Sequence, residues 1–85
     1  MGIRELRIKE VLRKEELSKV SGIRASTIKY YSELGILPYQ QEDTRLSRRY
    51  NRATSLQRLK EIRAYKRQGL SIQEIVNLYK DIGKA

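Results

Sequence analysis

LSKVSGIRASTIKYYSELGILP, residues 17–38, decides the fold. It reads as two short helices joined by a tight turn, the arrangement that lets a protein seat one helix in a DNA major groove. In the first piece Leu17 and Val20 share an apolar face. Ser18 is small enough for a second helix to cross close by. Gly22 follows, where a helix ends most cheaply in a positive-φ residue, and Ile23 fills the corner. The second piece sets Ile28, Tyr31 and Leu34 on one face, with Ser26, Lys29, Tyr30 and Glu33 roughly opposite. Gly35 ends it, and Pro38 keeps helix from resuming. Helical pairs of this kind are common, so apolar spacing alone does not establish DNA binding.

The charge distribution points the same way. The formal net charge is +9 over 85 residues. Residues 44–67 carry nine Lys/Arg (Arg45, Arg48, Arg49, Arg52, Arg58, Lys60, Arg63, Lys66, Arg67) against Glu61 alone, a net of +8. Residues 1–43 carry a net of +1 and residues 68–85 a net of zero. A polyanion is the natural partner of such a stretch, because cations that neutralise phosphates release condensed counterions. The competing reading is a solvated helix face that aids solubility.

Composition narrows the rest. A chain of 85 residues makes one small domain with little room for an internal catalytic cleft. With no Phe and no Trp, aliphatic residues and some of the six Tyr must fill the core. With no Cys and no His, neither a disulfide framework nor a zinc site is expected, and no metal or cofactor is implied. No stretch approaches the roughly 20 apolar residues of a membrane span, and the N-terminus lacks a signal-peptide core. A cytoplasmic protein without a membrane partner is the expectation. No catalytic constellation is visible, so an enzyme is not expected. Glu15 and Glu16 are adjacent rather than converging, and Ser21, Ser47 and Ser55 have no histidine to activate them.

Outward from the opening stretch, the pattern is a single domain over 1–85, mainly α. Residues 1–11 are an extended or partly disordered lead-in, and residues 12–35 hold the helix-turn-helix with helices at 15–21 and about 25–34. Residues 36–50 read as a hairpin with a polar tip at 40–44. Residues 51–80 form a helical pair, and residues 81–85 a fraying tail. In the third helix, from about 53 to 68, Leu56, Leu59 and Ile62 make one buried stripe. Gly69 stops it. Ser71 with Glu74 then caps a fourth helix whose core face is Ile72, Ile75, Val76 and Tyr79.

In order, EEL at 15–17, SGI at 21–23, TIKYY at 27–31, GILP at 35–38, RRY at 48–50 and QGLSIQEI at 68–75 resemble the DNA-binding domain of the MerR family of bacterial regulators. The first half is also similar to the small excisionases. The resemblance spans roughly residues 12–80. It implies a winged helix-turn-helix with a two-stranded β-hairpin wing and a following helical pair, working on double-stranded DNA at the bacterial nucleoid. Three departures stand out. Arg24 occupies a position where the family has a capping Ser, so that cap is absent or moves to Ser26. Leu46 occupies a position where the wing has Gly. The family's long dimerisation helix normally follows the fourth helix, so a monomer that pairs at most on adjacent DNA half-sites is expected of this chain.

The resemblance places Thr27, Lys29, Tyr30 and Tyr31 on DNA-contacting positions of the recognition helix, and Arg48 and Tyr50 on phosphate-contacting positions of the wing. Tyr31 shares a face with Ile28, so a core role competes with contact, whereas Tyr30 points outward. Arg24 and Ser26 are within reach of base edges, Arg24 being the best-placed guanine reader, with a solvated surface arginine as its competing reading. Arg45 and Arg49 are expected phosphate partners, the back of the sheet being the alternative place for one of them, while Arg58 and Arg63 on the third helix also fit a solvated surface. The leading expectation is a sequence-specific DNA-binding module of a transcriptional regulator. A stand-alone excisionase-like or architectural factor is the alternative. RNA binding and a protein-interaction adaptor are more distant readings, since the tyrosines lie at core spacing rather than on a stacking platform.

Overall fold

A computed structural model describes the backbone of residues 9–84 and the side chains of residues 9–81. The chain runs β1 (Val11–Leu12), α1 (Lys14–Ser21), α2 (Ala25–Glu33), β2 (Tyr50–Asn51), α3 (Arg52–Arg67) and α4 (Ile72–Lys84). This is a winged helix-turn-helix, mainly helical, with a helical pair after the wing. The lead-in expected at 1–11 lies mostly outside the described residues. Its end is extended, as β1. The fourth helix continues to Lys84, past the expected fraying point.

Local chemistry sets the boundaries. The Glu16 carboxylate accepts from the Arg13 amide at 2.9 Å and so caps the start of α1. That bond, aided by Lys9, holds the Glu16 pKa below its ordinary value. Gly22 ends α1 at φ 75° and donates its amide to Ser18 O at 2.9 Å. Asn51 caps α3 by accepting from the Thr54 amide at 2.9 Å. Ser71 and Glu74 form the expected reciprocal pair, at 2.8 and 3.1 Å. Arg24 stands at the N-cap of α2 and contributes no side-chain bond, so the family's cap is absent rather than moved.

The wing differs in pairing from a simple hairpin. Its arms meet at one bridge, Gln40 with Arg49, held by two 2.8 Å backbone bonds. The returning arm then continues as β2 and pairs antiparallel with β1, Leu12 opposite Tyr50 and Val11 opposite Asn51. Pro38 in the outgoing arm has no amide to give, which helps confine the hairpin ladder to its outer end. The lead-in strand takes up the bonds that the outgoing arm leaves unused.

The core joins both halves. Leu12, Leu17, Ile28, Tyr31, Ile36, Leu37, Tyr50, Leu59, Ile62, Ile75 and Val76 are buried together. Leu34, Leu56, Ile72 and Tyr79, expected in it, are partly buried against its edge. Val20 is a correction: it is 47% exposed and does not share the buried face of Leu17. Arg58 is a second surprise. Its Nη1 donates to the Ile36 carbonyl at 2.7 Å, and its guanidinium lies 4.1 Å from the centre of the Tyr79 ring. The Tyr79 hydroxyl donates to Glu61 at 2.8 Å. Burial, then this carboxylate, pushes the Tyr79 pKa well up, and the same bond holds Glu61 below the ordinary carboxylate value. Arg58 therefore ties α3 and α4 to the root of the wing instead of standing in solvent.

Ser55 is fully buried in α3 and, among the described residues, its hydroxyl finds no partner. A buried hydroxyl without a hydrogen bond costs about 1–3 kcal/mol. Ser55→Ala is accordingly expected to raise stability by about 1 kcal/mol in urea unfolding. A loss of stability would mean that the hydroxyl is bonded after all.

Candidate nucleic-acid interface

The outward face of α2 carries Ser26, Lys29 and Tyr30, all exposed, with Arg24 exposed just ahead of the helix and Thr27 half-buried. No acidic residue lies in the first turn of α2 and no side chain caps it. The positive end of the helix is thus open to an anion. Tyr30 is 48% exposed, whereas the adjacent Tyr31 is 7% exposed and belongs to the core. Between the two readings of Tyr31, its placement favours packing.

Tyr50 is a clear correction. It is 1% exposed, and its hydroxyl lies 2.7 Å from Ser32 Oγ inside the protein. Ser32 donates its own proton to the Ile28 carbonyl at 2.7 Å, so Tyr50 donates to Ser32. A tyrosine is amphipathic enough to fill either role. Here the hydroxyl fastens the wing strand to the recognition helix, so it is not offered to a phosphate.

The wing tip is built on Asp43. Its carboxylate accepts from the Arg45 amide at 2.9 Å and from the Arg45 guanidinium at 3.1 Å, which lowers its pKa. Arg45 stays highly exposed, its side chain at 87%. Arg48 is half-buried, its guanidinium stacked 4.6 Å from the centre of the Tyr39 ring, and Tyr39 in turn lies against Tyr50 at 6.3 Å. The stack fixes where Arg48 points. Arg49 is half-buried beside it.

One cleft collects these parts. It has a volume of about 280 Å³ and lies between the start of α1, the recognition helix and the wing. Arg13 and Lys14 line it from α1, Lys29 from α2 and Arg48 from the wing, with Glu15 as its acid and Tyr50 supporting it from beneath. Four cations from three elements converge there. Arg13, Lys14 and the positioning ring of Tyr39 were not among the sequence-derived site residues. The basic pair RK directly ahead of EEL was the available signal. Arg45 and Arg49 line a second cleft at the wing tip, which adjoins the first through Gln41, Leu46 and Ser47 and also holds Glu42. Arg24, Ser26, Thr27 and Tyr30 stay on the helix and line neither cleft.

A helix-turn-helix with an exposed, uncapped second helix and a cationic wing beside it defines a winged helix-turn-helix DNA-binding protein. Residues 7–81 match the family model described as MerR HTH family regulatory protein, and the chain belongs to that family of DNA-binding transcription regulators. No match was found among curated proteins or among solved structures. Among the described residues, no helix is long and apolar enough to cross a membrane.

Proposed function

We propose that this chain binds double-stranded DNA sequence-specifically, as the DNA-binding module of a transcriptional regulator acting at the cytoplasmic nucleoid. In this reading α2 enters the major groove, with Arg24 and Ser26 offered to base edges and Thr27, Lys29 and Tyr30 to the backbone. Arg45, Arg48 and Arg49 hold phosphates from the wing. The observation that carries the reading is the convergence of Lys29 and Arg48 with Arg13 and Lys14 around one cleft beside the recognition helix. Such contacts position a protein on its duplex, while base contacts specify the sequence. The chain itself acts without a cofactor and without catalysis. In free solution the 85-residue chain is a monomer, pairing at most on adjacent half-sites. Mutual repulsion between the exposed Lys60, Arg63, Lys66 and Arg67 of two copies supports this, and sedimentation of the free protein checks it.

The test is a competition titration of duplex, single-stranded DNA and RNA at several salt concentrations. Duplex is expected to win, with log affinity falling by about 0.9 per neutralised phosphate against log salt, a total slope of roughly −3 or steeper. Binding that is flat across salt, or that favours RNA, would sink the proposal.

A further inference from the structure

Leu46 sits at the wing tip and is 53% exposed, the most exposed of the large hydrophobic side chains among the described residues. The fold does not require it there. Among the described residues positive φ is confined to Gly22, Gly35 and Gly69, so the Leu46 backbone meets no glycine-like demand. Its backbone is pinned on both sides. The Leu46 amide donates to Asp43 O at 2.8 Å, and its carbonyl accepts from the Gln41 side-chain amide at 2.7 Å. The side chain is thus presented from a tethered turn.

Its position relative to charge is the second observation. Leu46 lines both clefts of the wing together with Gln41 and Ser47, and it is the one apolar side chain of the three. Arg13, Lys14, Lys29 and Arg48 lie in one cleft, Arg45 and Arg49 in the other. The inference rests on the duplex-binding reading above. With α2 in the major groove, the strand held in the first cleft is the backbone that bounds that groove. Across one backbone from a major groove lies a minor groove. In that docking the wing tip, and Leu46 with it, falls beside this minor groove. A minor groove about 6 Å wide admits a side chain presented from such a tip.

We infer that Leu46 is an apolar wedge that enters the minor groove beside the recognition site and partly unstacks a base step. An isobutyl group makes no hydrogen bond to a base edge. Its favourable contacts in the groove are with sugar faces and with the faces of separated bases, and apolar side chains in minor grooves act in this way. Pyrimidine–purine steps unstack most readily, so the flanking sequence should favour TA or CA there. The wedge gives this module a means of deforming DNA that is separate from its base readout.

The probe is a duplex recovered by the protein itself from a random-sequence pool, carrying 2-aminopurine in turn at each step flanking the core site. Its end-to-end distance is followed by energy transfer. Wild-type protein is expected to raise 2-aminopurine fluorescence several-fold at one step and to shorten the duplex. Leu46→Met should keep both effects, and Leu46→Ser should lose both. Because no cation is removed, the salt slope should be the same for all three. A rise that survives Leu46→Ser, or a wild-type complex with neither fluorescence change nor bend, overturns the wedge alone. Absence of salt-dependent duplex binding by the wild type overturns the duplex reading, and the wedge with it.

Discussion

Replacing Tyr50 with alanine is expected to cost about 3–5 kcal/mol in stability, the loss typical of deleting a buried aromatic ring. Tyr50 leads the fully buried side chains in volume, and it touches three parts of the fold at once. Its strand pairs with Leu12, its hydroxyl holds Ser32 of α2, and its ring lies against Tyr39 of the wing. A domain of 85 residues has a total stability of about 4–13 kcal/mol. The variant should therefore lose tens of degrees of melting temperature or fail to fold. Tyr50→Phe keeps the ring and removes only the hydroxyl, leaving Ser32 bonded to the Ile28 carbonyl. It should cost about 1 kcal/mol and remain folded. That variant separates the two roles proposed for this tyrosine. As a core residue it leaves the salt dependence of DNA binding unchanged. If its hydroxyl met a phosphate, Tyr50→Phe would weaken duplex binding while leaving the melting temperature unmoved, and the buried assignment would fall.

Tyr50 also shows which parts of this molecule are legible in the chain and which are not. The helices of the helix-turn-helix and the helical pair announce themselves by local rules. Glycines stop α1 and α3, and a Ser–Glu box starts α4. The three-residue spacing of Leu56, Leu59 and Ile62 marks the side of α3 that faces the core. Two apolar residues are too few to define a face, and Val20, grouped with Leu17, stands in solvent. The pairing of β1 with β2 joins Val11 to Asn51, 40 positions apart in the chain, and no local pattern reports it. The cationic cleft has the same character. Lys29 and Arg48 stand apart in any linear reading, and the basic pair Arg13 and Lys14 ahead of EEL hints at charge there without saying what it lies beside. Arg58 fails for another reason: a charged side chain on a helix looks solvated until a carbonyl such as that of Ile36 needs a donor.

The largest effects on function are expected from that cleft. Lys29→Ala and Arg48→Ala each remove a cation from its walls, one on the recognition helix and one on the wing. A hydrogen bond to a charged group contributes about 1.5–3 kcal/mol, so each variant should bind duplex about 10–100-fold more weakly. Arg13→Ala and Lys14→Ala should act in the same direction through α1. Each loss should also flatten the salt slope by about 0.9 if one phosphate is released. Since the side chains share one cleft, paired substitutions are expected to be non-additive. Glu15 is the single acid on the same walls, and Glu15→Gln should tighten binding by relieving repulsion of the phosphate. Lys80→Ala, an exposed cation on α4 outside the cleft, removes the same charge from the whole molecule and serves as the control. Arg24→Ala differs in kind. It should change which sequences are preferred, at about 1–3 kcal/mol for a lost base contact. Fluorescence anisotropy on a selected site and on a scrambled duplex separates the two classes. Arg13→Ala, Lys14→Ala and Arg48→Ala should weaken binding to both duplexes alike, and Arg24→Ala only to the selected one. Should the four cleft variants bind no worse than Lys80→Ala, the strand does not pass through this cleft, and the docking of α2 and the wing on DNA must be redrawn.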